Sequence, residues 1–273
     1  MRLDPLAAEK AWNLVFYGIC GCILVFLVAP ILAIIPLSFN SDRMFTYPMP
    51  GFSLQWYEEF FRSPAWRLAI KNTLIVACSV AVFATGLGTI ASLGLNMANF
   101  RLKGLMIGLL LSPMMVPHVI VGVGMFFFYS SLKLLNSLWG LILAHTACAV
   151  PFVVMTVTVT LSNFNMNYIR AASSLGARPV TTFFRVVLPL ILPGVLSGAV
   201  MAFVTSFDEL IIAILLVGSD QRTVPRQMWS GIREEVSMTI TAGATVLIVF
   251  SVLMMLTMEM LRRRAERMRE KAK

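Results

Sequence analysis

Hydrophobic residues in this chain occur in long runs separated by shorter polar segments. Six of the runs reach the length of about 20 residues that a helix needs to cross a lipid bilayer. They cover residues 14–37, 69–95, 105–129, 138–161, 187–216 and 238–261. The pattern predicts an all-α integral membrane protein with six transmembrane helices, forming a single domain over residues 1–273.

Several of these runs contain proline. Proline removes a backbone N–H and clashes with the preceding turn, but neighbouring helices in a membrane protein can satisfy the freed carbonyl groups. We therefore expect kinks at the prolines inside the spans, which are Pro30, Pro113, Pro117, Pro151 and Pro193.

Composition excludes a soluble protein. Of the 273 residues, 58% are hydrophobic and 13% are charged, whereas soluble domains carry about 25% charged residues. The cysteines all lie in apolar runs without metal-site or disulfide spacing, so we interpret them as small buried hydrophobic residues. They are Cys20, Cys22, Cys78 and Cys148.

The net charge of +9 does not indicate nucleic-acid binding, because many basic residues follow the last apolar run. A basic cluster in that place is better explained as an anchor beside anionic membrane lipid. Basic residues also concentrate at the N-terminus and in the loops after the second and fourth runs. The positive-inside rule therefore places both termini and the fourth loop in the cytoplasm. The C-terminal cluster consists of Arg262, Arg263, Arg264, Arg267, Arg269, Lys271 and Lys273.

The first external loop, residues 38–68, is long and aromatic. Ser53 is placed to cap one short helix, and Ser63-Pro64 indicates the start of the next helix. Two compatible interpretations remain open. The aromatic residues form an interfacial belt, or this loop and residues 219–237 form a platform for an extracytoplasmic binding protein.

The fourth loop contains three arginines and no acid between residues 170 and 189. Asn163, Asn165 and Asn167 are candidate N-caps for a short helix. Gly176 is placed to end that helix, and Pro179 suits the first turn of a second short helix. We call residues 162–189 the basic loop. It is predicted to be a helix–turn–helix projection that presses into a partner protein.

The basic loop resembles the "EAA" loop of ABC-importer permeases, a cytoplasmic segment that contacts the ATPase. The matching residues are Ala171-Ala172, then Gly176 after three intervening residues, and then Leu188-Pro189 after nine more residues and the aliphatic pair Val186-Val187. Arg170 stands where the family has glutamate, so any polar contact at that position must have the opposite charge. A generic basic loop between transmembrane helices is the alternative.

Ionisable residues inside the spans are candidates for a solute pathway. A carboxylate near the centre of a membrane helix costs about 2.5–3.5 kcal/mol on insertion scales. Asp208 and Glu209 lie in the fifth run, and His118, His145 and Asn72 are placed at a similar depth in the outer half. We interpret these residues as a polar, anionic lining for a cationic solute. Structural pairing of the acids and helix packing by the histidines remain open alternatives.

Five further phrases resemble the spermidine/putrescine branch of these permeases, over nearly the whole chain. They are SFNSDR at 38–43, GFSLQWY at 51–57, KNTLIVA at 71–77, AHTACAVPFVV at 144–154 and SFDELIIAI at 206–214. The resemblance implies the type I ABC-importer permease fold and import of a small cationic solute, a polyamine in this branch. Other amines and aminophosphonates are alternative solutes.

The same resemblance implies partners and a location. The partners are an ATPase subunit dimer, a second homologous permease subunit and an extracytoplasmic solute-binding protein, in a prokaryotic plasma membrane. The chain has no phosphate-binding loop of the G-x-x-x-x-G-K-S/T type, so we expect it to bind no cofactor and to leave ATP hydrolysis to the partner. An ion-gradient-driven carrier is a remote alternative. An intramembrane hydrolase is another, although the spacing supplies no nucleophile or metal triad.

Overall fold

A computed structural model of the protein describes residues 5–46, 48–97, 101–162, 164–234 and 237–271. Within these ranges the regular elements are helices. They are α1 (Pro5–Leu37), α2 (Gln55–Arg62), α3 (Pro64–Met97), α4 (Lys103–Met115), α5 (His118–Leu132), α6 (Leu138–Ser162), α7 (Asn167–Ser174), α8 (Pro179–Thr182), a π-helical turn (Phe183–Val187), α9 (Leu188–Phe207), α10 (Ile211–Leu216), α11 (Val224–Glu234) and α12 (Thr239–Lys271).

The long apolar helices agree with the predicted membrane spans. Five helical segments of the described residues are long and apolar enough to cross a bilayer alone, and α4 with α5 makes a sixth if the bent pair counts as one span. The prediction of an all-α membrane protein is confirmed. Pro30, Pro151 and Pro193 lie inside continuous helices.

The third apolar run is not one helix. Helices α4 and α5 meet at an angle of 103° across Val116 and Pro117. Pro117 has no N–H to continue the helix, and it forces the preceding residue out of the helical region. Val116 accordingly has φ −85° and ψ 130°. The expected kink at Pro117 is thus a complete break, whereas Pro113 lies within α4.

The fifth apolar run is also broken, which corrects the prediction of one span over residues 187–216. Helix α9 ends at Phe207, and α10 begins at Ile211. The helical segment also starts earlier than the apolar run, because α8, the π-helical turn and α9 follow one another from Pro179 to Phe207. The second short helix of the basic loop is therefore the first turn of the fifth span.

The chain divides into two compact units. In the unit formed by Pro64–Ser230 and Val252–Lys273, helices α3, α6 and α9 pack against one another around a shared apolar core. Small residues permit this close packing. A Cβ atom at Gly88 of α3 would lie 2.6 Å from Val153 Cβ of α6, and one at Gly198 of α9 would lie 2.7 Å from Thr156 Oγ1.

The other unit consists of Met1–Ser63 and Gly231–Ser251. Its apolar helix α1 exposes most of its side chains. Ser53 Oγ accepts a hydrogen bond from Gln55 N–H at the start of α2, but the N-cap position is Leu54, so the prediction that Ser53 caps this helix is wrong by one residue. Trp56 is 7% exposed, packs with Met238 and Ala242, and donates its indole N–H to Asn40 O at 2.7 Å.

Replacing Gly88 by alanine should destabilise the helix packing, whereas Gly86→Ala should not. Both glycines belong to α3, but a Cβ at Gly86 meets nothing within 4 Å. Overpacking of this kind typically costs about 1–3 kcal/mol. Thermal unfolding of the purified chain in lipid nanodiscs measures the difference. Equal unfolding midpoints for the two variants would contradict the α3–α6 packing.

Candidate functional site

The break in the fifth span places two carboxylates side by side within the membrane-spanning region. Asp208 N–H makes the last bond of α9, to Val204 O at 3.3 Å. The chain then leaves the helix for Asp208, Glu209 and Leu210 before α10 begins. A helix start leaves backbone N–H groups without intrahelical partners. Glu209 satisfies one of them, since its Oε1 accepts a hydrogen bond from Ile212 N–H at 3.1 Å.

Glu209 also contacts the break in the third span. Its Oε2 lies 2.7 Å from Nδ1 of His118, the first residue of α5. Glu209 is 8% exposed. Charge-assisted hydrogen bonds to a buried carboxylate are among the stronger interactions in proteins. The His118–Glu209 pair therefore joins the two places where apolar runs lose their helical structure.

Asp208 has a different environment from its neighbour. Its side chain is exposed, and among the described residues no cationic side chain lies within ion-pairing distance of it. Asp208 is therefore available for contact with a solute, whereas both oxygens of Glu209 are engaged within the protein.

His145 lies inside the helix bundle. It is 1% exposed, and its Nδ1 shares a hydrogen bond of 2.9 Å with Ser206 Oγ near the end of α9. Its Nε2 is buried without a hydrogen-bond partner among the described residues. The side chain does not line a surface in this structure. The helix-packing interpretation of His145 is thus favoured over the pathway interpretation.

Asn72 does not join the carboxylates. Its Nδ2 donates to the carbonyl oxygens of Asp220 and Arg222, both at 3.1 Å, and the residue is 3% exposed. The neighbouring Thr73 Oγ1 accepts from Val224 N–H at 2.8 Å. The start of α3 therefore fixes the segment between α10 and α11. The amide nitrogen of Asn72 is thus engaged within the protein, and its place in the polar lining stays a prediction.

Three polar contacts around α10 were not predicted from the sequence. Arg226 Nη1 donates to the carbonyl oxygens of Gly218 at 2.9 Å and Ala213 at 3.5 Å. Burial and the nearby Arg222 lower the pKa of the Arg226 guanidinium below its usual value. Asn136 N–H donates to Leu216 O at 2.9 Å. Helix α11 was also missed, although apolar residues recur at helical spacing in its sequence, VPRQMWSGIRE, and that pattern could have predicted it.

The basic loop has the predicted local structure at its centre. Asn165 Oδ1 accepts from Asn167 N–H at 2.9 Å, but Met166 holds the N-cap position of α7, so the prediction that Asn165 or Asn167 caps this helix is wrong. Asn163 lies outside the described residues. Gly176 has φ +80°, a left-handed conformation that glycine adopts without strain. Its N–H donates to Ser173 O, and Ala177 N–H donates to Ala172 O. Gly176 ends the first helix as predicted, and Pro179 starts α8.

Large side chains of the basic loop are exposed. Leu175 is 88% exposed and Tyr168 53% exposed, while Arg170 and Ala171 are exposed and Ala172 is half-buried. The hydroxyl of Ser173 bonds back to Ile169 O. A surface that exposes Leu175 and Tyr168 together with Arg170 is typical of a protein interaction site. Leu188 is half-buried and Pro189 exposed at the start of α9.

The fold and the two broken spans define the class of protein as a multi-pass helical membrane protein with an intramembrane polar site and a helical surface loop. Residues 84–267 match the family described as "Binding-protein-dependent transport system inner membrane component". The chain belongs to this family.

Curated relatives match along most of the chain. It is 30% identical over 246 residues to the spermidine/putrescine transport system permease protein PotC of Escherichia coli strain K12, covering 90% of this chain and 93% of the relative. It is 31% identical over 233 residues to the putrescine transport system permease protein PotI of the same strain, covering 82% of each.

Solved structures with low sequence identity share the fold. A chain of a bacterial ABC transporter that imports the acidic polysaccharide alginate matches with a TM-score of 0.71 and 17% identity, covering 93% of this chain and 98% of that one. A chain of the MetNI methionine ABC transporter matches with a TM-score of 0.57 and 18% identity, covering 72% and 94%. The fold is that of type I ABC-importer permeases, as predicted.

Thr73→Val should loosen the segment between α10 and α11, whereas Thr73→Ser should not. Valine keeps the shape but leaves the buried Val224 N–H without its acceptor, at a cost of about 1–3 kcal/mol. Hydrogen exchange of residues 219–226 in nanodiscs is the measurement, and we expect faster exchange in the valine variant only. Unchanged exchange there would show that the hydroxyl does not hold this segment.

Proposed function

We propose that this chain is a permease subunit of an ATP-driven importer that moves a small cationic solute, a polyamine such as spermidine or putrescine, into the cell. Two independent observations support the proposal. The relatives named for polyamine transport cover most of the chain, and the described membrane-spanning region presents an exposed carboxylate at a helix break. The exposed Asp208 is the observation on this chain that carries the solute class.

Electrostatics favour a cationic solute over an anionic solute at Asp208. A carboxylate in an apolar environment is costly unless water, a hydrogen bond or a cation compensates it. An ammonium group passing Asp208 would supply that compensation during transport. The neighbouring Glu209 is already engaged with His118 and Ile212, so Asp208 is the better candidate for contact with the solute.

The basic loop is the proposed contact with the ATPase. Arg170, Ala171, Ala172, Gly176, Leu188 and Pro189 are the candidate coupling residues. From Pro179 to Phe207 one helical segment of 29 residues runs from the loop to the residue before Asp208. A movement imposed on the loop would therefore reach the carboxylate through a single segment. Because Arg170 is cationic, its counterpart on the ATPase should be acidic or a carbonyl group.

The proposed assembly contains a dimer of ATPase subunits, a second homologous permease subunit and an extracytoplasmic solute-binding protein. It would lie in a prokaryotic plasma membrane with both termini and the basic loop in the cytoplasm, where the C-terminal basic cluster would meet anionic lipid. ATP would be bound and hydrolysed by the partner subunit, with no cofactor held by this chain.

Asp208→Asn should lower polyamine uptake about tenfold or more, since loss of one oriented charge commonly costs at least that much. Glu9→Gln, which removes an exposed acid before the first apolar run, is the control and should retain uptake. Uptake of radiolabelled spermidine and putrescine by cells expressing the complete transporter is the measurement, with complex assembly checked by co-purification. Wild-type uptake in the Asp208 variant would remove the pathway assignment.

Gly176→Pro should uncouple ATP hydrolysis from transport, whereas Gly176→Asn should largely retain coupling. Proline cannot adopt φ +80° and lacks the N–H that bonds Ser173 O, while asparagine tolerates the left-handed region. The ratio of solute transported to ATP hydrolysed in proteoliposomes is the measurement. An unchanged ratio in the proline variant would count against the basic loop as the coupling element.

A further inference from the structure

The geometry points to a division of roles between two adjacent acids: Glu209, held by His118, is a positioning residue that fixes the helix break, while Asp208 alone meets the solute. This inference rests on the proposed transport function. It goes further by removing Glu209 and His118 from the solute pathway and giving them a mechanical role.

Both oxygens of the Glu209 carboxylate are engaged within the protein. Oε1 accepts a hydrogen bond from Ile212 N–H at 3.1 Å, and Oε2 lies 2.7 Å from His118 Nδ1. The residue is 8% exposed. A solute could bind this carboxylate only by displacing the cap of α10 or the contact with α5. Asp208, one residue earlier, is exposed.

Close packing of α5 against α10 surrounds the His118–Glu209 pair. Helices α5 and α10 lie against each other. Gly122 is one turn beyond His118 on the same face of α5, and a Cβ atom there would lie 2.6 Å from Leu215 Cδ1 and 3.7 Å from Ile212 Cα. The same two helices therefore meet through the polar contact between His118, at the start of α5, and Glu209, just before α10, and through close apolar packing one turn later.

The breaks in the third and fifth spans are therefore held together as one packed unit. Each break interrupts the helical structure of its span, because α5 begins after Pro117 and α10 begins after an interruption at residues 208–210. Pairing His118 with Glu209 fixes both at once. It thereby fixes the direction in which the preceding residue, Asp208, presents its side chain.

The test separates the shape of Glu209 from its charge. Glu209→Gln removes the charge but keeps an oxygen for Ile212 N–H and an amide that can bond to His118. Glu209→Ala and His118→Ala remove the contact. A displacement of about 1 Å in a reacting or binding group can lower rates about 100-fold. We therefore expect the two alanine variants to lower the maximal rate of ATP-dependent polyamine uptake at least about tenfold, with Glu209→Gln retaining about a third or more.

Asp208→Asn is the comparison that decides between roles in the same uptake assay. If Glu209 acts by position, Glu209→Gln is well above Asp208→Asn, and the alanine variants fall to the level of Asp208→Asn. If Glu209 binds the solute by its charge, Glu209→Gln falls with Asp208→Asn, and the positioning role is overturned.

A second readout does not require transport. Thermal unfolding midpoints of the chain in nanodiscs are measured for His118→Ala, Glu209→Ala and the double variant. Contacting residues give non-additive effects, so we expect the double variant to unfold at about the same temperature as the worse single variant. Additive losses would overturn the pair. If no variant and no wild-type complex takes up a polyamine, the proposed function fails, while this cycle still reports on the pair.

Discussion

The cost of a carboxylate in an apolar span is the constraint on which the functional region depends. Glu209 meets this constraint through two contacts, one with the first turn of α10 and one with His118 at the first turn of α5. The helix of the fifth span is interrupted here, between Phe207 and Ile211. At the interruption Asp208 is exposed, and the neighbouring Glu209 is buried with both carboxylate oxygens in contact with the protein. The contact between Glu209 and His118 joins two interrupted spans.

This arrangement explains how a surface loop and an intramembrane site can be coupled. The helical segment Pro179–Phe207 begins in the basic loop and ends directly before Asp208. Its α9 part is packed against α6, where Gly194 and Gly198 approach Thr156 and Thr160. Close packing of this kind transmits displacement rather than absorbing it. The π-helical turn at Phe183–Val187 lies at the junction between the basic loop and the fifth span. Single π-helical turns within α-helices are frequently found at functional sites.

Sequence reasoning was accurate where a residue's role is local. The run lengths predicted most of the spans, Gly176 predicted the left-handed residue after α7, and Pro179 predicted the start of α8. It was incomplete or wrong where tertiary contacts decide. Asn72 had no sequence signal for its distant partners Asp220 and Arg222, and an apolar run gives no sign of a break that is held by a histidine about ninety positions away. The basic loop could be identified from sequence because its motif is defined by the spacing of Ala171-Ala172, Gly176 and Leu188-Pro189. That spacing is unchanged although Arg170 stands in place of glutamate.

The central claim is that this chain carries an amine inward only as part of an assembly driven by ATP. The most direct measurement is accumulation of radiolabelled spermidine or putrescine in proteoliposomes containing this chain, its second permease, the ATPase and the binding protein. We expect accumulation of the amine that requires both ATP on the side of the basic loop and the binding protein on the opposite side. Accumulation by this chain alone, driven by an ion gradient without ATP, would contradict it.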